Sequence, residues 1–435
     1  MRIVQGIVAE YNPFHNGHQY QLRASAAATG ATHTVCVMSG AFVQRGEPAC
    51  LHKQARVEMA LAGGADVVLE LPAAFACASA ESFAAGAVSV LNASGIVDRI
   101  CFGSESGELA PLAAAAAILA DEPPAYRRLL REELDQGLSF AAAREKALGQ
   151  WLSHGDPPPE TVGGVPQAAV LEAVRSPNNI LAVAYLKALR RQNSRMIPFT
   201  LARRGHGYND PEFSGSYPSA TAIRRALLQP AADPALLRTA VPATTLDILS
   251  REIAAGRGPV GPDLFLPMLL QRLRTGSPEQ FSQLPDLEPG LIQRVKHAAA
   301  DAQTYGQLVS AAATSRYPRT RIQRLLAAIL LGMTEALARD LRAAGHAQYI
   351  RVLGFRDSGR ALLADMRRAA TLPVLGKSSQ WGRYPQPLIQ ALLTLESNAT
   401  DTWALACRQP ADRRAGWEHR HMPLYMPLHM PASRE

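Results

Sequence analysis

Two histidines flank a glycine near the start of the chain, where the sequence pattern changes from strand to helix. His15 and His18 lie three residues apart around Gly17, directly after an apolar run at residues 2–9 and the turn Asn12-Pro13. A helix N-terminus offers free N–H groups and a positive dipole to phosphate, and Gly17 lets the backbone approach a ligand closely. The two imidazoles can then donate hydrogen bonds to an α-phosphate while pyrophosphate departs. The alternative is a polar turn with incidental histidines, but the end of the first strand is where open α/β sheets bind ligands.

A second candidate phosphate element is the helix start Ser219-Ala220-Thr221-Ala222-Ile223-Arg224. Its hydroxyl groups and helix dipole both suit an anion. Ser and Thr are also frequent N-caps, so alone this segment is an ordinary helix start. Together with the upstream histidines it indicates a second contact to the same ligand.

A basic segment in the second half is the candidate RNA contact. Residues 315–324 contain four arginines and Tyr317, and they precede the apolar run at residues 325–331; the arginines are Arg316, Arg319, Arg321 and Arg324. Arginine pairs with phosphates and stacks on unstacked bases, as in single-stranded RNA loops. The alternative is a solvated helix face paired with scattered acids, in which case the RNA site moves to Arg351, Arg356, Arg367 and Arg368.

The charge distribution supports a basic second half. Residues 1–230 carry 20 basic and 20 acidic side chains, whereas residues 231–435 carry 25 and 17, so the whole net charge of +8 lies there. Forty of the 45 basic residues are arginine, a bias that fits phosphate recognition or genomic composition equally.

The elements that would position these residues follow from the hydrophobic pattern. Short apolar runs alternate with amphipathic ones, which is typical of a doubly wound parallel sheet covered by helices. Strands are predicted at 2–9, 33–39, 66–71, 97–102 and 196–201, and helices at 17–29, 53–63, 81–94, 108–120 and 178–192. Residues 121–177 read as a helical insertion that includes the turn-rich run at 155–159. Beyond Pro230 the strands are expected to stop, giving a mostly α-helical domain at 231–435 that ends in a frayed tail from His419.

Composition bounds the class of protein. A chain of 435 residues with 47% hydrophobic and 19% charged residues predicts two or more domains. No apolar run approaches the roughly 20 residues of a membrane-spanning helix, and the N-terminus has no secretory signal pattern. The five cysteines are odd in number and show no C-x-x-C spacing, so we expect reduced core residues in a cytoplasmic protein.

The motifs resemble those of a known family. His15-Asn16-Gly17-His18 is similar to the HxGH signature of the HUP-like nucleotidyltransferases, and Ser219–Arg224 resembles their S-x-T-x-I-R box, which caps the β- and γ-phosphates. The wider string from Ala9 to His18 resembles that of the bacterial tRNA(Met) cytidine acetate ligases. Further similar segments are residues 37–49, 64–72, 101–105, 177–181, 317–326 and 351–355.

The resemblance implies a reaction and a set of contacts. Acetate would attack the α-phosphate of ATP, and the resulting acetyl-adenylate would acetylate the wobble cytidine of elongator tRNA(Met), giving N4-acetylcytidine. His15 and His18 would be catalytic, and magnesium, if used, would arrive on ATP. The implied ATP contacts are Val8, Ala9, Glu10, Tyr11, Asn12, Pro13, Phe14, His15, Asn16, Gly17, His18, Gln19, Tyr20, Gln21, Gly103, Asn178 and Arg203.

Two departures from the family pattern and two other readings stay open. His52-Lys53 replaces an expected Asp-Lys pair, and Tyr208-Asn209-Asp210 replaces an expected Tyr-His-Asp turn. The first other reading is a small-molecule adenylyltransferase, because it would use the same two boxes. The second is a non-catalytic RNA-binding protein, which the intact histidines argue against.

Overall fold

The computed structural model describes residues 2–153, 161–203, 218–229 and 234–427. Its strands are β1 (Val4–Ala9), β2 (His33–Ser39), β3 (Val67–Leu71), β4 (Arg99–Ser104), β5 (Thr161–Val162), β6 (Val165–Pro166), β7 (Ile197–Ala202), β8 (Ile350–Arg356), β9 (Val374–Leu375) and β10 (Leu424–Met426). The five strands predicted in the first half are confirmed to within about two residues as β1, β2, β3, β4 and β7.

Helices cover the sheet and fill the second half. Those of the first half are α1 (Asn16–Thr29), α2 (Lys53–Gly63), α3 (Ala73–Ala76), α4 (Ala80–Ala93), α5 (Leu109–Asp121), α6 (Pro124–Asp135), α7 (Phe140–Ser153), α8 (Gln167–Glu172), α9 (Pro177–Arg191) and α10 (Ala220–Leu228). The later ones are α11 (Pro234–Ala240), α12 (Ala243–Ala254), α13 (Leu266–Thr275), α14 (Pro278–Ser282), α15 (Leu291–Asp301), α16 (Tyr305–Ala312), α17 (Arg319–Leu331), α18 (Glu335–Ala343), α19 (Gly359–Ala369), α20 (Pro387–Ala404) and α21 (Trp417–Arg420). The insertion predicted at 121–177 contains α6, α7, α8 and the small antiparallel pair β5–β6.

The sheet runs in the order β10-β8-β3-β2-β1-β4-β7. Strand β1 pairs in parallel with β2 on one side and with β4 on the other, so the strand order reverses there. A crevice opens at such a reversal, beyond the carboxyl ends of the strands. The chain leaves β1 at this point and enters α1 through residues 10–15, which carries the histidine segment to the crevice.

The expectation that strands stop beyond Pro230 is wrong. Strand β8 pairs antiparallel with β3, and β10 from the C-terminal segment pairs in parallel with β8. The expected frayed tail from His419 is therefore ordered at least through β10. The pattern concealed β8 because Ile350–Arg356 contains two arginines and its partner strand lies about 280 residues earlier in the chain.

The two halves share buried surfaces. The helical core of the second half packs against Ala41, Phe42, Ala73 and Cys77 of the first half. Trp403 of α20 is fully buried and donates its Nε1–H to the carbonyl of Ala49 at 2.7 Å. All five cysteines are buried and free. Among the described residues, none of the helices combines the length and apolarity needed to cross a bilayer.

Candidate nucleotide site and basic cleft

A cavity of about 1710 Å³ opens beyond the carboxyl ends of β1, β4 and β7. The first half supplies the segment after β1, the ends of β4 and β7, and the start of α10, and the second half supplies α17. The predicted contacts that line it are Val8, Ala9, Glu10, Tyr11, Asn12, His15, Gly17, His18, Tyr20, Gln21, Gly103, Asn178 and Arg203. The cavity therefore brings together both candidate phosphate elements.

The two histidines cap α1 reciprocally. His15 Nδ1 accepts the N–H of Gly17 at 3.0 Å, and His18 Nδ1 accepts the N–H of His15 at 3.3 Å. The rings stack with centroids 3.7 Å apart, and Tyr11 contacts His18 edge-on at 4.9 Å. Because both Nδ1 atoms accept, each neutral ring carries its proton on Nε2. The cap thus leaves two N–H donors available to a ligand.

Burial keeps both rings uncharged. It lowers the pKa of His15 to about 3, with Arg203 and Arg224 adding to the effect. Burial, His15 and Arg203 together lower the pKa of His18 well below its usual value. Each neutral ring can therefore donate its Nε2–H directly to a phosphate oxygen.

Four predicted contacts do not line the cavity: Pro13, Phe14, Asn16 and Gln19. Phe14 is fully buried, and Asn16 donates its side-chain N–H to the carbonyl of Thr239 at 2.8 Å. Gly17 has a steric requirement, since a Cβ there would lie 2.8 Å from His15 Cε1. These residues shape the loop that presents the histidines.

Asn178 and Arg203 meet at one side of the cavity. Arg203 Nη1 donates to Asn178 Oδ1 at 2.7 Å, and Asn178 Nδ2 donates to Glu105 Oε1 at 2.6 Å. Gly103 lies beside them, because a Cβ at Gly103 would contact Arg203 Cγ at 3.3 Å. Gly103, Asn178 and Arg203 are far apart in sequence but meet at one side of the cavity, and their contact with ATP stays a prediction.

The Ser219 helix reaches the histidine loop through Arg224. Ser219 caps α10 by accepting the N–H of Ala222 at 3.1 Å, and Ser219 and Thr221 both line the cavity. Arg224 Nη1 donates to the carbonyl of Asn12 at 2.8 Å. Arg204 and the Tyr208-Asn209-Asp210 turn lie outside the described residues.

The basic segment forms the opposite wall, and its four arginines all line the cavity. Glu288 pairs with Arg316 at 2.8 Å and with Arg321 at 2.7 Å. Arg319 bonds Ser310, while Arg324 has no ion-pair or hydrogen-bond partner among the described residues. The solvated-face reading therefore describes half of the cluster, since Arg319 and Arg324 have no ion-pair partner among the described residues.

A contact between the two walls escaped sequence reasoning. Gln323 Nε2 donates to Glu47 Oε1 at 2.7 Å. Gly46, at φ 77°, lets its loop lie against α17, where a Cβ would be 2.5 Å from the Gln323 carbonyl. A separation of 276 residues leaves no local signal for this pair.

The His52-Lys53 departure has a structural explanation. His52 still caps α2, and its Nε2 lies 3.0 Å from Glu252 Oε2. Lys53 points away from the cavity into the interior, where its Nζ lies 2.5 Å from Glu70, 2.9 Å from Glu396 and 2.5 Å from Glu418. Burial alone would lower the pKa of Lys53, but the three carboxylates raise it.

Arg351 is the second cation of this buried ion cluster and is not accessible to RNA. It pairs with Glu70 at 3.0 Å and with Glu418, and it is almost fully buried. The fallback RNA site that included Arg351 is therefore wrong at that residue. The three carboxylates are the one group of possible metal ligands found among the described residues, and each of them already pairs with Lys53, Arg351 or both.

Comparisons with known proteins agree with this geometry. A family model described as HIGH Nucleotidyl Transferase matches residues 1–416. A tRNA(Met) cytidine acetate ligase from Acetivibrio thermocellus is 44% identical over 95% of this chain and 98% of its own, and one from Alkaliphilus metalliredigens is 37% identical over 98% and 99%.

Solved structures share the whole fold. The crystal structure of apo Thermotoga maritima TmcAL has a TM-score of 0.92, at 34% identity over 98% of this chain and 100% of that one. The same protein bound with alpha-thio ATP has a TM-score of 0.89. Fold and site together define a nucleotidyltransferase of the HIGH class. Within that class the chain belongs to the tRNA(Met) cytidine acetate ligase family, which confirms the resemblance seen in its motifs.

Proposed function

We propose that this protein is an ATP-dependent ligase that makes acetyl-adenylate from acetate and ATP and transfers the acetyl group to the wobble cytidine of elongator tRNA(Met). The observation that carries the proposal is one cavity with neutral histidine donors at one wall and a basic helix at the other. The names of the full-length relatives support the same reaction.

In the first step, acetate displaces pyrophosphate at the α-phosphate of ATP. His15 and His18 donate from Nε2 to the oxygens on which charge accumulates, and Arg203 with the start of α10 holds the departing phosphates. Positioning and electrostatic stabilisation account for this step, as they do for other phosphate transfers. Magnesium arrives, if it is used, on the phosphates of ATP.

In the second step, the basic wall holds the tRNA. Arg319 and Arg324, which line the cavity and have no ion-pair partner among the described residues, are available to phosphates or unstacked bases. We propose this division of labour between residues 1–230, which bind ATP, and residues 231–435, which supply most of the RNA contact.

The test is to incubate the protein with ATP, labelled acetate and bacterial tRNA, and to measure N4-acetylcytidine by nucleoside mass spectrometry. Acetylation confined to elongator tRNA(Met) and abolished in His18→Ala supports the proposal. Pyrophosphate release with a small-molecule acceptor but no acetylated RNA would instead indicate a metabolite adenylyltransferase.

A further inference from the structure

The Glu10 carboxylate is held at one oxygen and open at the other. Its Oε1 accepts the N–H of Gln44 at 2.8 Å, and its backbone carbonyl accepts Arg56 Nη1 at 2.6 Å. Oε2 has no hydrogen-bond partner among the described residues, and the side chain lines the cavity. A carboxylate held in this way is oriented to accept a proton or a hydrogen bond at Oε2.

Glu10 lies between the two walls. Arg224, which bonds the Asn12 carbonyl, acts electrostatically on both His15 and Glu10. On the other side, the Gln44 N–H that Glu10 accepts lies three residues before Glu47, which accepts Gln323 Nε2 of α17 at 2.7 Å. Glu10 is therefore near the place where an adenylate at the histidines and a base held by α17 must meet.

The transfer step needs a proton acceptor at that place. The exocyclic amine of cytidine must lose a proton when it becomes an amide nitrogen, and a carboxylate within reach can take it. The histidines do not suit this role, because their Nδ1 atoms accept backbone N–H groups and their Nε2 atoms carry protons.

The other acids that line the cavity are committed or exposed. Glu47 bonds Gln323, Glu81 pairs with Lys187 and Arg191, and Glu288 pairs with Arg316 and Arg321. Asp135 and Asp286 are exposed to solvent. Among the lining acids that the structure describes, Glu10 remains as the partly buried one whose second oxygen is available.

We propose that Glu10 is the proton acceptor of the acetyl-transfer step, an assignment that rests on the proposed function. The amine nitrogen attacks the carbonyl carbon of acetyl-adenylate and forms the new carbon–nitrogen bond. The bond between that carbon and the phosphate-bridging oxygen breaks, and AMP leaves with its electron pair. The proton moves from the amine nitrogen to Glu10 Oε2.

The surroundings of Glu10 suit a base. Burial raises the pKa of its carboxyl, and the Gln44 N–H, Arg224, Arg45 and Arg56 limit the rise. The neighbouring Cys77 thiol stays neutral, since burial raises its pKa far above the usual value. A carboxylate with a raised pKa is a stronger base than an exposed one.

The experiment supplies synthetic acetyl-adenylate and tRNA(Met) to the full-length protein, so that transfer is measured without the first step. Glu10→Gln keeps an acceptor for the Gln44 N–H but removes the base, and we expect transfer to fall by about a hundredfold. Wild-type transfer rises with pH as Glu10 ionises, and this rise should be absent from the Glu10→Gln profile.

The matched control is Glu81→Gln, which removes one negative charge from the same cavity and should leave transfer within about threefold of wild type. Glu10→Gln transfer within threefold of wild type, or pH profiles that superimpose after scaling, would overturn the assignment while leaving the proposed function intact. A wild-type protein that cannot acetylate tRNA from acetyl-adenylate would overturn both.

Discussion

His15 has two separable roles, as the cap of α1 and as a donor to the phosphate, and two substitutions distinguish them. His15→Ala removes both. Losing an N-cap costs about 1 kcal/mol of unfolding free energy, and losing one transition-state donor lowers the rate about 10²–10³-fold. His15→Asn keeps a side-chain oxygen that can accept the Gly17 N–H, so it should restore most of the lost stability.

The assay is acetate-dependent exchange of pyrophosphate into ATP, measured beside urea unfolding of each variant. We expect both variants to lose about a hundredfold or more in exchange, with only the alanine variant losing stability. His18→Ala, which removes the other donor and the stacked ring, should lose exchange to a similar extent.

One result would refute this reasoning. If His15→Asn regained exchange in proportion to its stability, the imidazole would matter only as a cap. An unchanged rate in a fully folded His15→Ala variant would remove this histidine from the reaction altogether.

Three further predictions follow from the cleft and the buried cluster. Replacing all four arginines of the basic segment with Gln should weaken tRNA binding. The double variant Arg319→Gln/Arg324→Gln should lower the slope of log binding constant against log salt concentration by about 1.4, at about 0.7 per contact. The double variant Arg316→Gln/Arg321→Gln should lower that slope less, because Glu288 already pairs with both arginines; equal slopes of the two double variants in filter binding would contradict this. Burial and Glu70 raise the pKa of Glu396 to about 7, so the folded protein holds this proton more tightly than the unfolded chain does. The unfolding free energy of wild type relative to Glu396→Gln should therefore fall as pH rises from 4.5 to about 7 and stay level outside that window; a difference independent of pH in urea titrations would contradict it. Lys53→Met leaves three buried carboxylates with Arg351 alone, and should cost about 3–5 kcal/mol in urea unfolding; a loss below about 1 kcal/mol would show that the cluster adapts by protonation.

The first half of the fold was predictable because its signals are local. Each of β1, β2, β3, β4 and β7 is a short apolar run, and α9 begins after the conventional cap Ser176. The histidine site was predictable for the same reason, since its residues are contiguous. Asn178 and Arg203 came from family motifs, and no spacing rule would have placed them together.

The features that the sequence did not predict depend on contacts between residues far apart along the chain. Lys53 and Arg351 look like surface residues on any local pattern, yet each is buried because its carboxylate partners arrive from other elements. Strand β8 shows the same limit, because a strand with charged residues is credible only when its partner is known. The orientation of the Glu10 carboxylate likewise depends on a distant residue, because its Oε1 is held by the N–H of Gln44, 34 positions away.

The antiparallel pairing of β8 with β3 also affects how the protein is made. During synthesis, β3 is an edge strand until residues 350–356 emerge, and Glu70 on it lacks the Arg351 guanidinium until then. An unpaired edge recruits other strands, and pairing across such a separation is slow. The nucleotide half cannot complete its sheet while the rest of the chain is still on the ribosome. Fragments cut near residue 230 should therefore aggregate rather than bind ATP, and assays of this protein need the whole polypeptide.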